Sequence, residues 1–558
     1  MKLIECVPNF SEGRDQGIID AITHEISETE GTVLLDVDPG AATNRTVVTL
    51  AGPPERVEEA AFRAIRKAAE LIDMSKHRGE HARMGATDVC PFVPMQGATM
   101  ADCIESAARL AKRVGEELGI PAYLYGEAAR KPERKRLPDI RKGEYEALEK
   151  KFEDPEFAPD FGPAKFLPRS GATAFGARPF LVAWNINLNT RERKLANKIA
   201  AELRETGKLK RDAKNKIVRD ESGKALRVPG RFTELQGGGW YIEEYGRAQL
   251  TFNLMDFHIT SLHEVFEACR EEAGKLGVRV TGSELVGLVP LDAVLAAGDY
   301  YLAKQGRTTG IPEAERVHAA VLTLGLEDLT PFVPAEKIIE YRYRGAPSGL
   351  KAMTLIDFAD ELSADSPAPG GGSVAALCGG LSAALSAMVA SLTWSKKGME
   401  DSRPTVQKIG VETQALKSWF VEAIDRDTDA FNAVLAARRL PKKSDAQKAA
   451  REAAMEQANQ ACTQVPLDVL ERSVRTAELA QKIAREGNPA SVSDAGVAGA
   501  CALAAAEGAA LNVRINIPSV TDGAVAKQFA TRQEELMGRA RELAEETRKI
   551  VDEVLSSS

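Results

Sequence analysis

Residues 372–394 have the sequence GSVAALCGGLSAALSAMVASLTW, an uncharged run dominated by Ala, Ser, Gly and Leu. The run is long enough to span a bilayer as a helix. Its many small residues, however, are typical of helices that pack closely against one another. We therefore predict a helix in the core of a soluble helical domain and not a membrane span.

The rest of the C-terminal part of the chain is also predicted to be helical. Strand signals nearly vanish after the Gly/Pro/Ser-rich stretch RGAPSGL at residues 344–350, and Ala, Leu, Glu and Lys recur at helical spacing. The pattern predicts a linker at 344–354 and an all-α domain at 355–558. The helical patterns cover residues 411–435, 443–472, 474–484, 495–510 and 524–555.

The sequence before the linker mixes strands with helices, which indicates α/β or α+β layers. We predict two sheet-and-helix subdomains, at residues 1–178 and 179–343. The charged segment 191–231 lies in the second one. Its pattern favours a solvated helix followed by a surface hairpin over a dedicated anion groove.

Charge and cysteine content narrow the class of protein. The formal net charge of −8 argues against generic nucleic-acid binding. The seven cysteines are scattered and form no CxxC pair, which favours reduced thiols in a cytoplasm. The N-terminal sequence MKLIECVPNFSEG lacks the apolar segment of a signal peptide.

The titratable side chains are distributed unevenly. All six histidines precede residue 319 and all nine tyrosines precede residue 344. Proton transfer in the C-terminal domain must therefore use a carboxyl, an amine, a hydroxyl, a thiol or water. The two parts of the chain are expected to use different acid/base chemistries.

The front part has a histidine pair in KHRGEHARMG, residues 76–85. On a helix, His77 and His81 would share a face as metal ligands do, but Gly79 and Gly85 argue against a helix. The alternatives are polar loop histidines or a general acid/base imidazole. In the last case Lys76 and the flanking arginines would hold an anionic substrate and lower the histidine pKa.

Two motifs stand out in the rear part. SPAPGGGS at 366–373 leads into the apolar helix, so its free backbone amides suit either an anion or close helix packing. In DRDTDAF at 425–431, Asp427 lies one turn before Phe431, and a buried ring would draw this carboxyl inward. Burial would raise its pKa and suit it to donate a proton. Asp425 and Asp429 are better candidates for a solvated face.

A further loop, FGPAKFLPRSGA at 161–172, combines two aromatic rings with two cations. The rings suit stacking on a flat heterocycle and the cations suit carboxylates. By composition alone, an interdomain linker is the simpler interpretation.

Taken together, the motifs resemble the bifunctional formimidoyltransferase-cyclodeaminase family, folate enzymes of histidine degradation. The strings that carry the resemblance run through nearly the whole chain. They are ECVPNFSEG, LLDVDPGAATNRTV, HRGEHARMGATDVCPFVP, YLYGEAAR, PDFGPAKF, GARPFLVAWNINL, GSELVGLVPL, PAPGGGSVAAL, DAFNAV and SDAGVAGACALAAAEGAALNVRINI.

The resemblance implies two reactions and their site residues. The first transfers the formimino group of N-formimino-L-glutamate to tetrahydrofolate, with His81 catalytic and Asp38 as a weaker candidate. The second closes 5-formimino-tetrahydrofolate to 5,10-methenyl-tetrahydrofolate and releases ammonia, with Asp427 catalytic. The implied folate-binding loop consists of Gly162, Pro163, Ala164, Lys165, Phe166, Leu167, Pro168, Arg169, Ser170 and Gly171. The implied anion or substrate loop of the second site consists of Gly370, Gly371, Gly372 and Ser373.

The same resemblance sets the expected partners. Tetrahydrofolate is a co-substrate, expected with a polyglutamate tail, and neither reaction needs a metal. The ligands are small molecules, with no nucleic acid and no membrane, in a cytoplasmic homo-oligomer. The alternative is a folate-binding or scaffold homologue in which one or neither half is active.

Overall fold

The structure is a computed structural model that describes residues 2–41, 43–79, 82–345, 348–365 and 368–557. The chain divides into two compact units. Unit 1 comprises Met1–Ala296 and Leu324–Gly345, and unit 2 comprises Ala297–Thr323 and Ala346–Ser558. The predicted fold class is confirmed, because sheets and helices alternate before the linker and long helices follow it.

The first sheet of unit 1 has seven strands within the described residues. They are β1 (Ile4–Cys6), β2 (Asn9–Phe10), β3 (Val33–Gly40), β4 (Arg45–Gly52), β5 (Thr87–Pro94), β6 (Ala122–Gly126) and β7 (Thr173–Ala177). β3 pairs with β4, and β1 and β2 both lie between β4 and β5. Beyond β5, β7 and β6 continue the sheet in parallel.

One face of this sheet is covered by helices. They are α1 (Gln16–Ser27), α2 (Pro54–Leu71) and α3 (Met100–Arg113), followed by the short α4 (Leu137–Arg141) and α5 (Leu148–Lys151). Each of the first three presents an apolar stripe to the sheet, so Phe10, Phe92 and Phe175 are buried beneath them. This core fixes the strand ends, from which the loops of the first candidate site project.

The second sheet of unit 1 is antiparallel, in the order β11–β12–β8–β13. Its strands are β8 (Val182–Leu188), β11 (Leu235–Ile242), β12 (Arg247–Leu254) and β13 (Val280–Val286). The same part of the chain also forms the helices α6 (Arg193–Leu203) and α7 (Leu262–Lys275) and a separate two-stranded sheet of β9 (Lys208–Leu209) and β10 (Arg227–Val228). Buried Trp184 stacks on Phe266 of α7, with the ring centroids 6.0 Å apart.

The charged segment forms a helix, α6, and an exposed β9–β10 hairpin, as predicted. Within the hairpin, RDAKNKIV and RDESGKAL form two successive turns of the same type. In each turn an aspartate Oδ1, of Asp212 or Asp220, accepts the amides two and four residues ahead. The sequence pattern alone did not predict this repeat.

Unit 2 is built from helices. They are the end of α8 (Leu291–Lys304), nearly all of α9 (Glu313–Leu324), then α12 (Leu355–Leu362), α13 (Gly371–Ser395), α14 (Arg403–Arg438), α15 (Asp445–Glu486), α16 (Val492–Asn516) and α17 (Gly523–Ser557). The short α10 (Pro334–Lys337) and α11 (Ile339–Arg344) belong to unit 1.

Two predicted helices, 443–472 and 474–484, are one continuous helix, α15. Ser473 does not end it, because its buried hydroxyl donates to the Val469 carbonyl 2.7 Å away. A serine that bonds back to its own helix is compatible with the helix interior.

Residues 297–323, which we expected in the second transferase subdomain, pack within unit 2. The Trp394 indole N–H donates to the Gly306 carbonyl at 3.0 Å. Gln407 bonds the hydroxyls of Thr308 and Thr309. The domain boundaries expected from the sequence, at residues 1–178, 179–343, 344–354 and 355–558, remain predictions.

The apolar run 372–394 lies within α13. Its small residues allow close packing: Gly379 lies against the buried Phe420 ring. Two segments, Gly371–Ser395 and Pro489–Ser519, are long and apolar enough to cross a membrane, and 61% and 44% of their most apolar windows are buried within the protein.

Candidate functional site

The predicted folate loop, residues 162–171, is fixed at its end by main-chain bonds. The Ala86 amide donates to the Ser170 carbonyl at 2.9 Å. Gly171 has a φ of +64°, and a Cβ atom there would lie 2.1 Å from the Met84 carbonyl oxygen. Only glycine fits this position without strain.

The aromatic side of the loop packs on the protein. The Phe166 and Tyr145 ring centroids are 5.4 Å apart, and the Tyr145 hydroxyl donates to the Pro168 carbonyl at 2.7 Å. The Arg169 guanidinium donates to the Glu70 carbonyl at 3.1 Å, while Lys165 is exposed. The loop is therefore held in shape from beneath, with its outer surface open to a ligand.

His77 is buried and serves the structure of the site. Arg83 Nε donates to its Nδ1 at 3.3 Å, so Nε2 carries the proton and donates to the Asn44 carbonyl at 2.8 Å. Burial is the main cause that lowers the pKa of His77, and the Arg83 charge acts in the same direction. The neutral His77 ring therefore has a structural role, linking Arg83 to the Asn44 carbonyl. His81, the predicted catalytic residue, lies outside the described residues.

Arg83 is committed to the protein and does not match its expected role as a substrate anchor. Its guanidinium pairs with Glu146 at 2.6 Å and Glu144 at 2.9 Å, and these carboxylates raise the Arg83 pKa. Arg78 and Lys76, by contrast, are exposed. As Gly79 indicated, residues 77–79 are not helical.

Asp38 is an exposed residue of the edge strand β3, and its charge acts on Arg45 at the start of β4. The charges of Asp88 and Arg141 also act on the Arg45 pKa. Asp88 is buried, accepts the Met84 amide at 2.9 Å and pairs with Arg141. Burial raises the Asp88 pKa, and Arg141 opposes that rise.

This Asp88–Arg141 pair beside Arg45 was not predicted from the sequence. A signal was available, because Asp88 is the acid that precedes the apolar strand sequence VCPFV. A buried carboxylate that stays ionised is usually paired with a cation. The sequence could not identify that partner.

In unit 2, Asp427 of α14 lies against the first turn of α13. The Ser373 amide donates to its carboxylate, and the Ser373 hydroxyl donates to the Ile424 carbonyl at 2.8 Å. Burial is the main cause that raises the Asp427 pKa, and the Ser373 amide partly offsets it. The result is a carboxyl that holds its proton more tightly than an exposed aspartate does.

The neighbours of Asp427 include a thiol. Burial raises the Cys462 pKa, and the Asp427 charge adds to the rise, so the two groups lie close together. The Asn516 amide donates to the Cys462 carbonyl at 2.9 Å. Nearby on α14, the Thr428 hydroxyl is buried without a hydrogen-bond partner among the described residues. The helices α14, α15 and α16 thus contribute polar groups at the start of α13.

The other two aspartates of the DRDTDAF motif differ from each other. Asp429 is exposed, as expected. Asp425 is not a free surface acid, because its Oδ1 accepts the Leu350 amide at 2.7 Å and so anchors the linker to the bundle. The geometry thus distinguishes Asp427, which the sequence alone could not do.

Three sequence profiles match the chain in succession. They describe the "Formiminotransferase domain, N-terminal subdomain" at residues 3–178, the "Formiminotransferase domain" at 183–344 and "Formiminotransferase-cyclodeaminase" at 354–535. Formimidoyltransferase-cyclodeaminase of Mus musculus is 45% identical over 524 residues, which are 93% of each chain. The chain belongs to the formimidoyltransferase-cyclodeaminase family.

Two shorter relatives each match one part of this chain. Glutamate formimidoyltransferase of Streptococcus pyogenes is 41% identical over 54% of this chain and 93% of its own length. Methenyltetrahydrofolate cyclohydrolase of Methylorubrum extorquens is 36% identical over 34% of this chain and 92% of its own length.

The family's implied site residues fall in two separate places, and their roles remain predictions. In unit 1 the loop 162–171 is joined to the loop that follows α2 by main-chain bonds at Ser170 and Arg169. In unit 2, Gly371, Gly372 and Ser373 of the predicted loop form the first turn of α13, where the Ser373 amide donates to the Asp427 carboxylate. Among the described residues, no group of three or more His, Cys, Asp and Glu side chains is arranged to hold a metal ion.

Proposed function

We propose that this chain transfers the formimino group from N-formimino-L-glutamate to tetrahydrofolate and then closes the product to 5,10-methenyl-tetrahydrofolate with release of ammonia. The observation that carries the proposal is the 45% identity to a formimidoyltransferase-cyclodeaminase over 93% of both chains. The front part matches a glutamate formimidoyltransferase by itself, which supports two separable activities.

The transfer step requires one proton to leave and another to arrive. N5 of tetrahydrofolate attacks the formimino carbon and loses a proton as the tetrahedral intermediate forms. The departing glutamate nitrogen gains a proton as its bond to that carbon breaks. We assign both transfers to His81, because one imidazole can accept and then donate near neutral pH. Asp38, beside Arg45, is the weaker candidate for orienting this chemistry.

The cyclisation also needs a paired proton transfer. N10 attacks the amidinium carbon and loses its proton, while the former imino nitrogen gains one and leaves as ammonia. The positive charge stays on the methenyl product, so the charges balance. Burial raises the Asp427 pKa and so favours the protonated form that this step needs, within residues 355–558, which contain no histidine or tyrosine. Such transfers contribute roughly 10²–10⁴-fold each.

The test is a pair of variants assayed for both half-reactions. His81→Ala should abolish transfer to tetrahydrofolate and spare cyclisation of supplied 5-formimino-tetrahydrofolate. Asp427→Ala should do the reverse. Methenyl-tetrahydrofolate is followed by its near-ultraviolet absorbance and ammonia by a coupled assay. Loss of both activities in either variant, with the fold intact, would contradict the assignment.

A second function of the bundle is favoured by one observation. A relative named methenyltetrahydrofolate cyclohydrolase is 36% identical over 34% of this chain. In that alternative, unit 2 hydrolyses the methenyl bridge and releases no ammonia. Ammonia that appears in step with the near-ultraviolet absorbance would exclude it.

We propose that the folate carries a polyglutamate tail that follows the exposed β9–β10 hairpin. The segment 208–227 holds five lysines and three arginines against two aspartates and one glutamate, which supports attraction to an anionic tail. Neutralising Lys214 and Lys216 should weaken use of polyglutamylated folate and spare the monoglutamate. Equal effects on both would contradict the proposal.

A second cationic cluster, residues 130–136, supports this tether less well. Arg134 is buried and pairs with Asp160 at 2.7 Å, and Lys135 lies 3.6 Å from Glu127. The Arg130 guanidinium lies over the Phe161 ring, 4.6 Å from its centroid. Arg134 therefore has a structural role and is not available to bind an anionic folate tail.

We also propose that the protein acts in histidine degradation as a cytoplasmic homo-oligomer. The seven free thiols support a reducing compartment. The outer faces of α13 and α16 leave large apolar side chains exposed, which supports contact with a second copy. These side chains are Leu381, Met388, Leu392, Val497 and Leu511.

A further inference from the structure

Asp427 occupies a space in unit 2 that exists because residue 372 has no side chain. A Cβ atom on Gly372 would lie 2.1 Å from Oδ1, 2.3 Å from Cγ and 2.4 Å from Oδ2 of Asp427. Real Cβ contacts are rarely closer than 3.4 Å. The carboxylate therefore rests directly on the Gly372 backbone.

The adjacent residue, Ser373, supplies a hydrogen bond to the same carboxylate. The Ser373 amide, at the start of α13, donates to the Asp427 carboxylate. The buried Ser373 hydroxyl donates to the Ile424 carbonyl of α14 at 2.8 Å and so ties the two helices together at this level. Side-chain bulk is excluded at 372, and a hydrogen-bond donor is supplied at 373.

We propose that Gly372 is a positioning residue for cyclisation, which sets the place of the Asp427 carboxyl by allowing it onto the first turn of α13. This inference rests on the proposed role of Asp427. It replaces the simpler interpretation in which the glycines serve only close helix packing or leave amides free for a substrate anion. The glycine acts through Asp427 and need not touch the substrate.

The size of the effect follows from the overlap. A methyl group at 372 must push the carboxylate away by more than 1 Å to restore ordinary contact, since 3.4 Å is the short end of that range. Misplacing a catalytic group by that distance can cost about 100-fold in rate. Gly372→Ala should therefore lower kcat of cyclisation about 100-fold, with a much smaller change in KM.

The same helix supplies two matched controls. A Cβ atom on Gly380 would lie 3.6 Å from the nearest atom, Cβ of Phe420, which is ordinary contact. One on Gly379 would lie 2.4 Å from the Phe420 ring. Gly380→Ala should leave cyclisation unchanged. Gly379→Ala should lower the Tm without changing the pH dependence of cyclisation, which separates strain from positioning.

The pH profile gives a readout that a merely structural role would not change. The groups around Asp427 are the Ser373 amide from α13, the Cys462 thiol from α15, and Asp425 and Asp429 on its own helix. A displaced carboxyl loses the Ser373 amide, so the limb of the profile that reports Asp427 should shift in Gly372→Ala. It should stay in place in Gly379→Ala.

A double variant keeps the inference testable if Gly372→Ala does not fold. The clash requires the carboxylate, so adding Gly372→Ala to Asp427→Ala should cost no stability, although Gly372→Ala alone lowers the Tm. Equal losses of Tm in both backgrounds would overturn the inference. So would wild-type kcat and an unshifted pH profile in Gly372→Ala.

Failure of the inference can be told apart from failure of the proposed function. If Asp427→Asn retains cyclisation, the proposed role of Asp427 is wrong. If Asp427→Asn is inactive while Gly372→Ala matches wild type, the positioning inference alone is wrong. Transfer to tetrahydrofolate, measured in the same samples, reports the amount of intact enzyme.

Discussion

Replacing Asp427 by asparagine is expected to inactivate cyclisation and at the same time stabilise unit 2 at neutral pH. The reason is the environment of the carboxyl, whose pKa is raised chiefly by burial and only partly restored by the Ser373 amide. An ionised carboxylate at that position has a higher free energy in the folded state than in the unfolded chain. Asparagine has the same shape and removes the charge.

The magnitude and its sign follow from proton linkage. The folded state binds the Asp427 proton more tightly than the unfolded state does, so stability declines as the pH rises from the unfolded pKa through the folded pKa. Above both values, each unit of elevation costs about 1.36 kcal/mol. A gain of about 1 kcal/mol corresponds to roughly 2–4 °C in Tm for a unit of this size.

The assay is a thermal scan of Asp427→Asn and wild type at pH 8 and pH 5. The variant should melt a few degrees higher at pH 8, and the difference should shrink at pH 5, where wild-type Asp427 is closer to protonated. Asp429→Asn is the matched control, since Asp429 is exposed on the same helix and should change little. A less stable Asp427→Asn, or a difference independent of pH, would refute the reasoning.

Three further predictions concern other parts of the chain. His77→Ala should cost about 1–3 kcal/mol in urea unfolding, because two buried hydrogen-bond partners are left unsatisfied, yet it should not shift the pH profile of transfer. Gly171→Ala, at a φ of +64° and against a carbonyl, should raise KM for tetrahydrofolate in the transfer assay, whereas Gly277→Ala, at +72° with open space, should not. Leu381→Glu on the exposed face of α13 should reduce the oligomer in sedimentation, and Leu355→Glu, at 81% exposure on α12, should not.

Each of these three predictions has a result that would contradict it. A shifted pH profile in the His77 variant would move the proton shuttle away from His81. Unchanged KM in the Gly171 variant would separate the loop 162–171 from folate binding. An unchanged oligomer in the Leu381 variant would place the subunit contact on another face.

The amino-acid sequence determined the local features of this protein. Helical periodicity predicted the bundle, and Gly79 correctly indicated that residues 77–79 are not helical. The alternation of charge and turn residues predicted α6 and the exposed hairpin. These features depend on neighbours within one or two turns of chain, so they can be inferred from the order of residues.

Other features were decided by the tertiary structure alone. Asp425, Asp427 and Asp429 have the same side chain within one helix, but α13 packs against α14 so that Gly372 covers part of Asp427. Asp425 instead accepts the Leu350 amide of the linker. The pairing of Asp88 with Arg141 likewise joins distant segments. Burial and electrostatic partners are set by contacts between residues far apart in sequence, and those contacts raise the pKa of Asp427.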